Sequence, residues 1–175
     1  MIQHITMRNY QSYVQFYLRL ALSVSYLKLG LDRLGFLGKP GSFGVSWGNW
    51  NHFMQYASEV MSFLPHYFIT PFAVLATVGE ISLGILLLTG KWTRIAATGS
   101  GILGFLFGLS MAVSFGIHDP IGYSVFTVSA ASFLLATIPH YKWSLDERRA
   151  GVPGKGFTMP NKEQNVQVSD TIKAQ

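Results

Sequence analysis

Glu80 stands about ten residues from either end of an apolar run over residues 69–88. A side chain there cannot snorkel to water, and dehydrating a charge costs about 2.5–3.5 kcal/mol on the lenient insertion scale. A carboxyl group so placed is neutral, hydrated in a cavity, or paired, and is therefore a candidate for proton exchange or for holding a ligand. Bases able to meet it come from residues 14–34, which carry Arg19, Lys28 and, near the end, Asp32 and Arg33. If the two segments are antiparallel helices with level ends, a rise of about 1.5 Å per residue sets Arg19 about 7 Å, Glu80 about 15 Å and Lys28 about 21 Å deep. At about 100° per residue, Arg19, Ser23, Tyr26, Gly30 and Arg33 share one face, and Ala21, Ser25, Lys28 and Asp32 share the opposite one. Lys28 and Asp32 are four apart and can neutralise each other along their own helix. Arg19 has no such local solution, so Arg19 with Glu80 is the expected pair, either as a ligand-binding or catalytic site or as a purely structural buried salt bridge. A helix polar on two faces is expected at the centre of a bundle or at an oligomer interface.

The elements that must position these groups are four apolar stretches, residues 14–34, 69–88, 92–115 and 121–138, each near the roughly 20 residues that cross a hydrocarbon core. The first is polar for a span. Small residues Ala73, Ala76 and Gly84 flank Glu80, and Ala97, Gly101, Gly104, Gly108 and Ala112 line the third stretch, a spacing that lets helix backbones approach closely. Between the first two stretches lies a glycine-rich segment. In it Trp50, Phe53, Met54, Ala57, Val60, Met61 and Leu64 recur at helical spacing opposite His52, Gln55, Ser58 and Glu59, which predicts an amphipathic helix. It is expected at the outer interface, and covering the outer mouth of the bundle is an equally physical use of the same stripe. His118-Asp119-Pro120 reads as the tight turn before the fourth stretch.

Composition narrows the function classes. The 175 residues are 49% hydrophobic and 12% charged, about half the charged share of an ordinary soluble domain, which argues against a soluble enzyme. The excess of five positive charges forms no aromatic-laced patch, so nucleic acid is not expected. Placed by side, Arg8, Lys91, Arg94, Lys142, Arg148 and Arg149 fall together, against Lys39 and Arg33 in the outer segments, which puts both termini in the cytoplasm. The first residues are charged and polar without a cleavage pattern, so the N-terminus is expected to be retained. With no cysteine there is no Cys-ligated iron–sulfur cluster, and the five histidines fall in loops or at span ends, so neither haem nor a metal site is expected. The expected architecture is all-α: an integral membrane four-helix bundle over residues 1–147, followed by a disordered cytoplasmic tail over residues 148–175.

The chain resembles the DoxX/DoxD family of small four-helix membrane proteins. Arg19 followed by Gly30-Leu31-Asp32-Arg33-Leu34 is similar to the family's Arg and Gly-x-x-Lys-Leu, with Arg33 where Lys is usual. Gly79-Glu80 with Gly84, Leu87, Gly90, Thr93, Arg94 and Ala97 resembles its run from the second helix into the third, and Ser144-Leu145-Asp146 also matches. The similarity covers about residues 16–146.

The resemblance implies a multi-pass protein of the bacterial inner membrane serving a redox system, as a quinone-contacting subunit of a thiosulfate:quinone-type oxidoreductase. Arg19 and Glu80 would bind the quinone or exchange protons with it, Arg33 and Arg94 would be further cofactor-binding residues, and electrons would come from a partner subunit or directly from a substrate. The alternative is a non-enzymatic membrane protein, either a small-solute carrier or an assembly and stabilising subunit.

Overall fold

The computed structural model describes the backbone of residues 2–150 and the side chains of residues 10–148. The expected tail over residues 148–175 lies outside them, apart from its first three residues. Every regular element among the described residues is an α-helix: α1 (Ile2–Arg33), α2 (Trp50–Val60), α3 (His66–Thr89), α4 (Thr93–Phe115), α5 (His118–Gly122), α6 (Val125–Thr137) and α7 (Leu145–Ala150). Of these, α3 and α4 are long and apolar enough to cross a membrane. They match the second and third predicted stretches to within three residues at each end, because an uninterrupted apolar run has one stable solution away from water, the helix that satisfies its own backbone.

Packing runs α1 on α3, α3 on α4, α4 on α6 and α6 back on α1. Side chains are distributed opposite to a soluble protein: Gln15, Arg19, Ser23, Thr93, Ser100 and Ser132 are buried, whereas Val24, Leu75, Val78, Ile95 and Leu134 are exposed. The small residues are used as the spacing predicts. A Cβ on Gly101 would lie 2.8 Å from Phe133 and one on Gly108 2.7 Å from Phe126, both on α6, while one on Gly84 would lie 2.9 Å from Leu27 on α1.

Two elements depart from expectation, and a third takes one of two expected placements. The fourth stretch is not one helix: Gly122 ends α5, Ser124 takes a left-handed φ of 56°, and α6 spans 13 residues, about 20 Å. The amphipathic segment forms α2; its buried Phe53 and Ala57 pack onto Ile69 and Ala73, so it covers the end of the helix assembly, one of the two placements its stripe allows.

The other departure is the register of α1. Were the ends of the first two stretches level, Gly30 would face Phe72. It packs instead against Ile81, while Ser23 donates to the Gly84 carbonyl at 2.8 Å and Arg19 sits beside Gly90, a displacement of Gly30 by about 13 Å. The C-terminus of α1 therefore stops halfway along α3, and the remaining half of α3 is matched by residues 34–49 and α2. Asp32 holds that return. Its carboxylate accepts the N–H groups of Ser46 (2.7 Å), Trp47 (3.3 Å) and Gly48 (2.9 Å). Gly48 has φ of 67°, and a Cβ there would meet the Pro40 backbone at 2.6 Å, so only glycine brings this N–H to Asp32. The Lys28–Asp32 pairing is narrowed accordingly: Asp32 makes its hydrogen bonds to backbone amides, and the exposed Lys28 acts on it by charge without a close ion pair. On the same side Ser25 is exposed within this single chain and bonds its own helix at the Ala21 carbonyl.

Candidate functional site

Because α1 is displaced, Arg33 rather than Arg19 is level with Glu80. Arg33 Nη2 donates to Glu80 Oε1 at 3.1 Å, and Nη1 lies 3.0 Å from Oε2 while donating to Thr77 Oγ1 at 3.1 Å. Oε2 receives no aligned hydrogen bond, and Arg33 Nε has no acceptor. Thr77 precedes Glu80 by three residues, which puts both on one face of α3; its hydroxyl donates to the Ala73 carbonyl at 2.8 Å and so presents a lone pair to Arg33. The guanidinium also lies over the Phe53 ring at 4.1 Å and the Trp47 ring at 5.1 Å. Aromatic faces stabilise a cation that has lost its hydration shell. Arg33 is 2% exposed and Glu80 7%, so removing either partner leaves the other charge buried and unpaired.

Two cavities meet at this pair. The first, about 390 Å³, lies among α1, α4, α6 and the residue that follows α5, and its wall includes the hydroxyl-bearing Ser25, Tyr26, Ser46 and Tyr123. The second, about 520 Å³, lies among α2, α3 and α4 and is apolar except for Arg33, Glu80, Tyr56 and Ser110. Arg33, Tyr56, Glu80, Leu103 and Phe107 line both. The break between α5 and α6 contributes to the first cavity, whose wall includes Tyr123 and Val125 on either side of Ser124.

Both volumes fall in the range of small-molecule sites, which are apolar with a few convergent polar groups. Burial, ahead of the neighbouring Tyr123, pushes the Tyr56 phenol up to about 12, so it is a neutral hydroxyl at physiological pH. Tyr26 extends the polar wall inward: its hydroxyl donates to the Ser100 carbonyl at 3.0 Å, and Ser100 Oγ lies 2.8 Å from both Tyr26 Oη and Ser132 Oγ. Among the described residues no three His, Asp or Glu side chains gather closely enough to hold a metal.

Arg19 is elsewhere. Its Nη2 donates to the Trp143 carbonyl at 2.6 Å and its Nη1 to the Lys142 carbonyl at 3.5 Å, and Gln15 donates to the same Lys142 carbonyl at 3.0 Å. The segment after α6 is held on its other side by Asp146, whose N–H donates to the Gly90 carbonyl. The Asp146 carboxylate accepts the N–H groups of Trp92 and Thr93 and the Thr93 hydroxyl, all at 2.8–2.9 Å. That arrangement is an N-cap supplied from a distant segment. Arg94 reaches the Ile138 carbonyl at 3.4 Å at this same end. The structure therefore brings together Glu80 and Arg33 of the four expected site residues and leaves Arg19 and Arg94 apart from them. It adds Thr77, Trp47, Phe53, Tyr26 and Tyr56. Thr77 was recoverable from its spacing to Glu80 and Tyr26 from its place on the Arg33 face of α1; Trp47, Phe53 and Tyr56 arrive through the return of residues 34–49 and α2, for which the sequence carries no pairing signal. Compared with known proteins, the chain matches no family model, no curated protein and no solved structure.

Proposed function

We propose that the chain is a multi-pass protein of the bacterial inner membrane, a DoxX-like bundle of α1, α3, α4 and α6 with both termini in the cytoplasm, and that it serves a redox system by holding a quinone headgroup at Arg33 and Glu80. The observation that carries this reading is the buried ion pair in the wall shared by two largely apolar cavities. Arg33 and Glu80 neutralise each other, so the site favours a neutral ligand over an anion. Such a ligand needs hydrogen-bond acceptors for the guanidinium and the Tyr56 hydroxyl and an apolar body for Leu103 and Phe107, and a quinone has both. The outward apolar and inward polar side chains support a lipid surrounding. A redox partner subunit supplies the electrons in this reading, Arg33 and Tyr56 donate hydrogen bonds to the headgroup, and Glu80 holds the guanidinium in place.

Trp47 lies against Arg33, so its fluorescence reports on the site. In nanodiscs, a benzoquinone or naphthoquinone should quench the wild type saturably. Glu80→Gln should keep the fold and weaken binding about tenfold, or about 1.4 kcal/mol, because the guanidinium loses the carboxylate that aims it at the headgroup, whereas Arg19→Gln should leave it unchanged. Wild-type binding in both Glu80→Gln and Arg33→Gln removes the site, and solute flux in liposomes without quinone binding favours a carrier. For the orientation, an impermeant thiol reagent on intact cells should label Ser42→Cys and not Ser169→Cys; the reverse pattern overturns it.

A further inference from the structure

Resting on the quinone reading, we infer that the second cavity is a hydrocarbon channel, so that the ligand is a quinone carrying a long alkyl or isoprenoid chain, its headgroup at Arg33 and its chain lodged between α3 and α4. The two cavities differ in chemistry although they share a wall. The first presents the hydroxyls of Ser25, Tyr26, Ser46 and Tyr123 and suits a head. The second continues from Glu80 past Phe72, Ala76, Leu106, Leu109 and Val113, with Ser110 its one polar group beyond the shared wall. Along α4 its lining runs from Leu103 to Val113, a length of about 15 Å, enough for a decyl chain. It also reaches the outer surface, since Leu75, Leu106 and Val113 in its wall are exposed, and in a bilayer that surface is the hydrocarbon region from which a lipid-soluble quinone would enter. Continuity with the ion pair is what selects a ligand chain over a lipid chain resting in a surface groove: a chain placed there is attached to a head that touches Arg33 and Glu80.

The test uses the full-length protein in nanodiscs with two probes of one headgroup, a methyl-substituted and a decyl-substituted quinone. Comparing wild type with variants in identical discs cancels the partition of the decyl probe into lipid. Ala76→Phe and Ser110→Phe fill the channel from opposite helices, so one remains informative if the other fails to fold, and Val78→Phe on the exposed face of α3 is the control. The decyl probe should lose at least about tenfold in affinity in the channel variants, since each buried methylene contributes substantially, while the methyl probe and the control stay at wild-type affinity. Equal losses for both probes, or none for either, overturn the channel and leave the headgroup site standing. Absence of binding by either probe to the wild type overturns the quinone reading and this inference with it.

Discussion

Arg19 and Arg33 lie on the same buried stripe of α1, yet Arg19 donates to the backbone carbonyls of Lys142 and Trp143 while Arg33 faces the Glu80 carboxylate. Both are about 2% exposed, so burial does not separate them. Their partners do. Carbonyls of a bent segment need donors, and Arg19 beside Gln15 supplies them, strapping residues 142–143 to α1. Gly90 is part of the same fit: with φ of 66° it ends α3, and a Cβ on it would meet Ser144 and come within 3.0 Å of Arg19 Nη1. A cleft of about 570 Å³ lies beside this strap, but Arg19 is not in its wall. Arg33 faces a single carboxylate, two aromatic rings and open volume on two sides. A buried charge whose hydrogen bonds all go to backbone carbonyls, with the Phe16 ring beneath it and Asp146 acting by charge alone, marks a structural joint, whereas a charge pair bordering cavities marks a place for a ligand.

The comparison is broken most directly at Glu80. Glu80→Leu should destabilise by about 3–5 kcal/mol because Arg33 is left buried and uncompensated. Arg33→Met together with Glu80→Leu should recover much of that loss, as thermal unfolding in detergent would show, and should still bind no quinone. Equal stability of the single and double variants would mean that the pair is uncoupled.

Arg19→Gln tests the other side of the comparison. It should lower stability by about 1.5–3 kcal/mol through loss of charge-assisted bonds to the two carbonyls, with quinone affinity unchanged. Weakened quinone binding at wild-type stability would erase the distinction between the two arginines.

The helix contacts that hold both regions in place are expected to be next in size. Gly101→Leu, which drives into Phe133, should cost about 1–3 kcal/mol; Leu106→Phe, whose residue is exposed, should cost nothing measurable in the same assay. Asp146→Ala should give the smallest effect, about 0.5–2 kcal/mol, the range for a lost N-cap. Amide exchange in that variant should rise first at Trp92 and Thr93, and exchange at residues 46–48, held by Asp32, should not change.

Much of the helical layout is legible in the chain. The second and third stretches and the small-residue stripe follow from composition and from 3.6-residue periodicity, which are local properties. Glu80 stands out for the same reason, since one charge in an apolar run is conspicuous without any partner. The identity of its partner is not local. Hydropathy marks where an apolar run ends but not how far one helix is shifted along another, and Arg19 is the expected mate only if the two ends are level. Arg33 looked like a residue at a span terminus because residues 34–49 read as a loop leaving the bundle.

Sequence alone thus determined which segments are helical and apolar, which faces carry small residues and which carboxyl group must be explained, because each follows from the residues within one turn or one strip of helix. Tertiary structure decided the displacement of α1 by about 8–13 Å, the docking of α2 over α3 and the break before α6. Those depend on how Gly30 fits Ile81 and Gly84 fits Leu27, and on an aspartate that gathers three amides from a segment 14–16 residues away. Contacts of that kind are made between surfaces that only come into existence once the helices have packed.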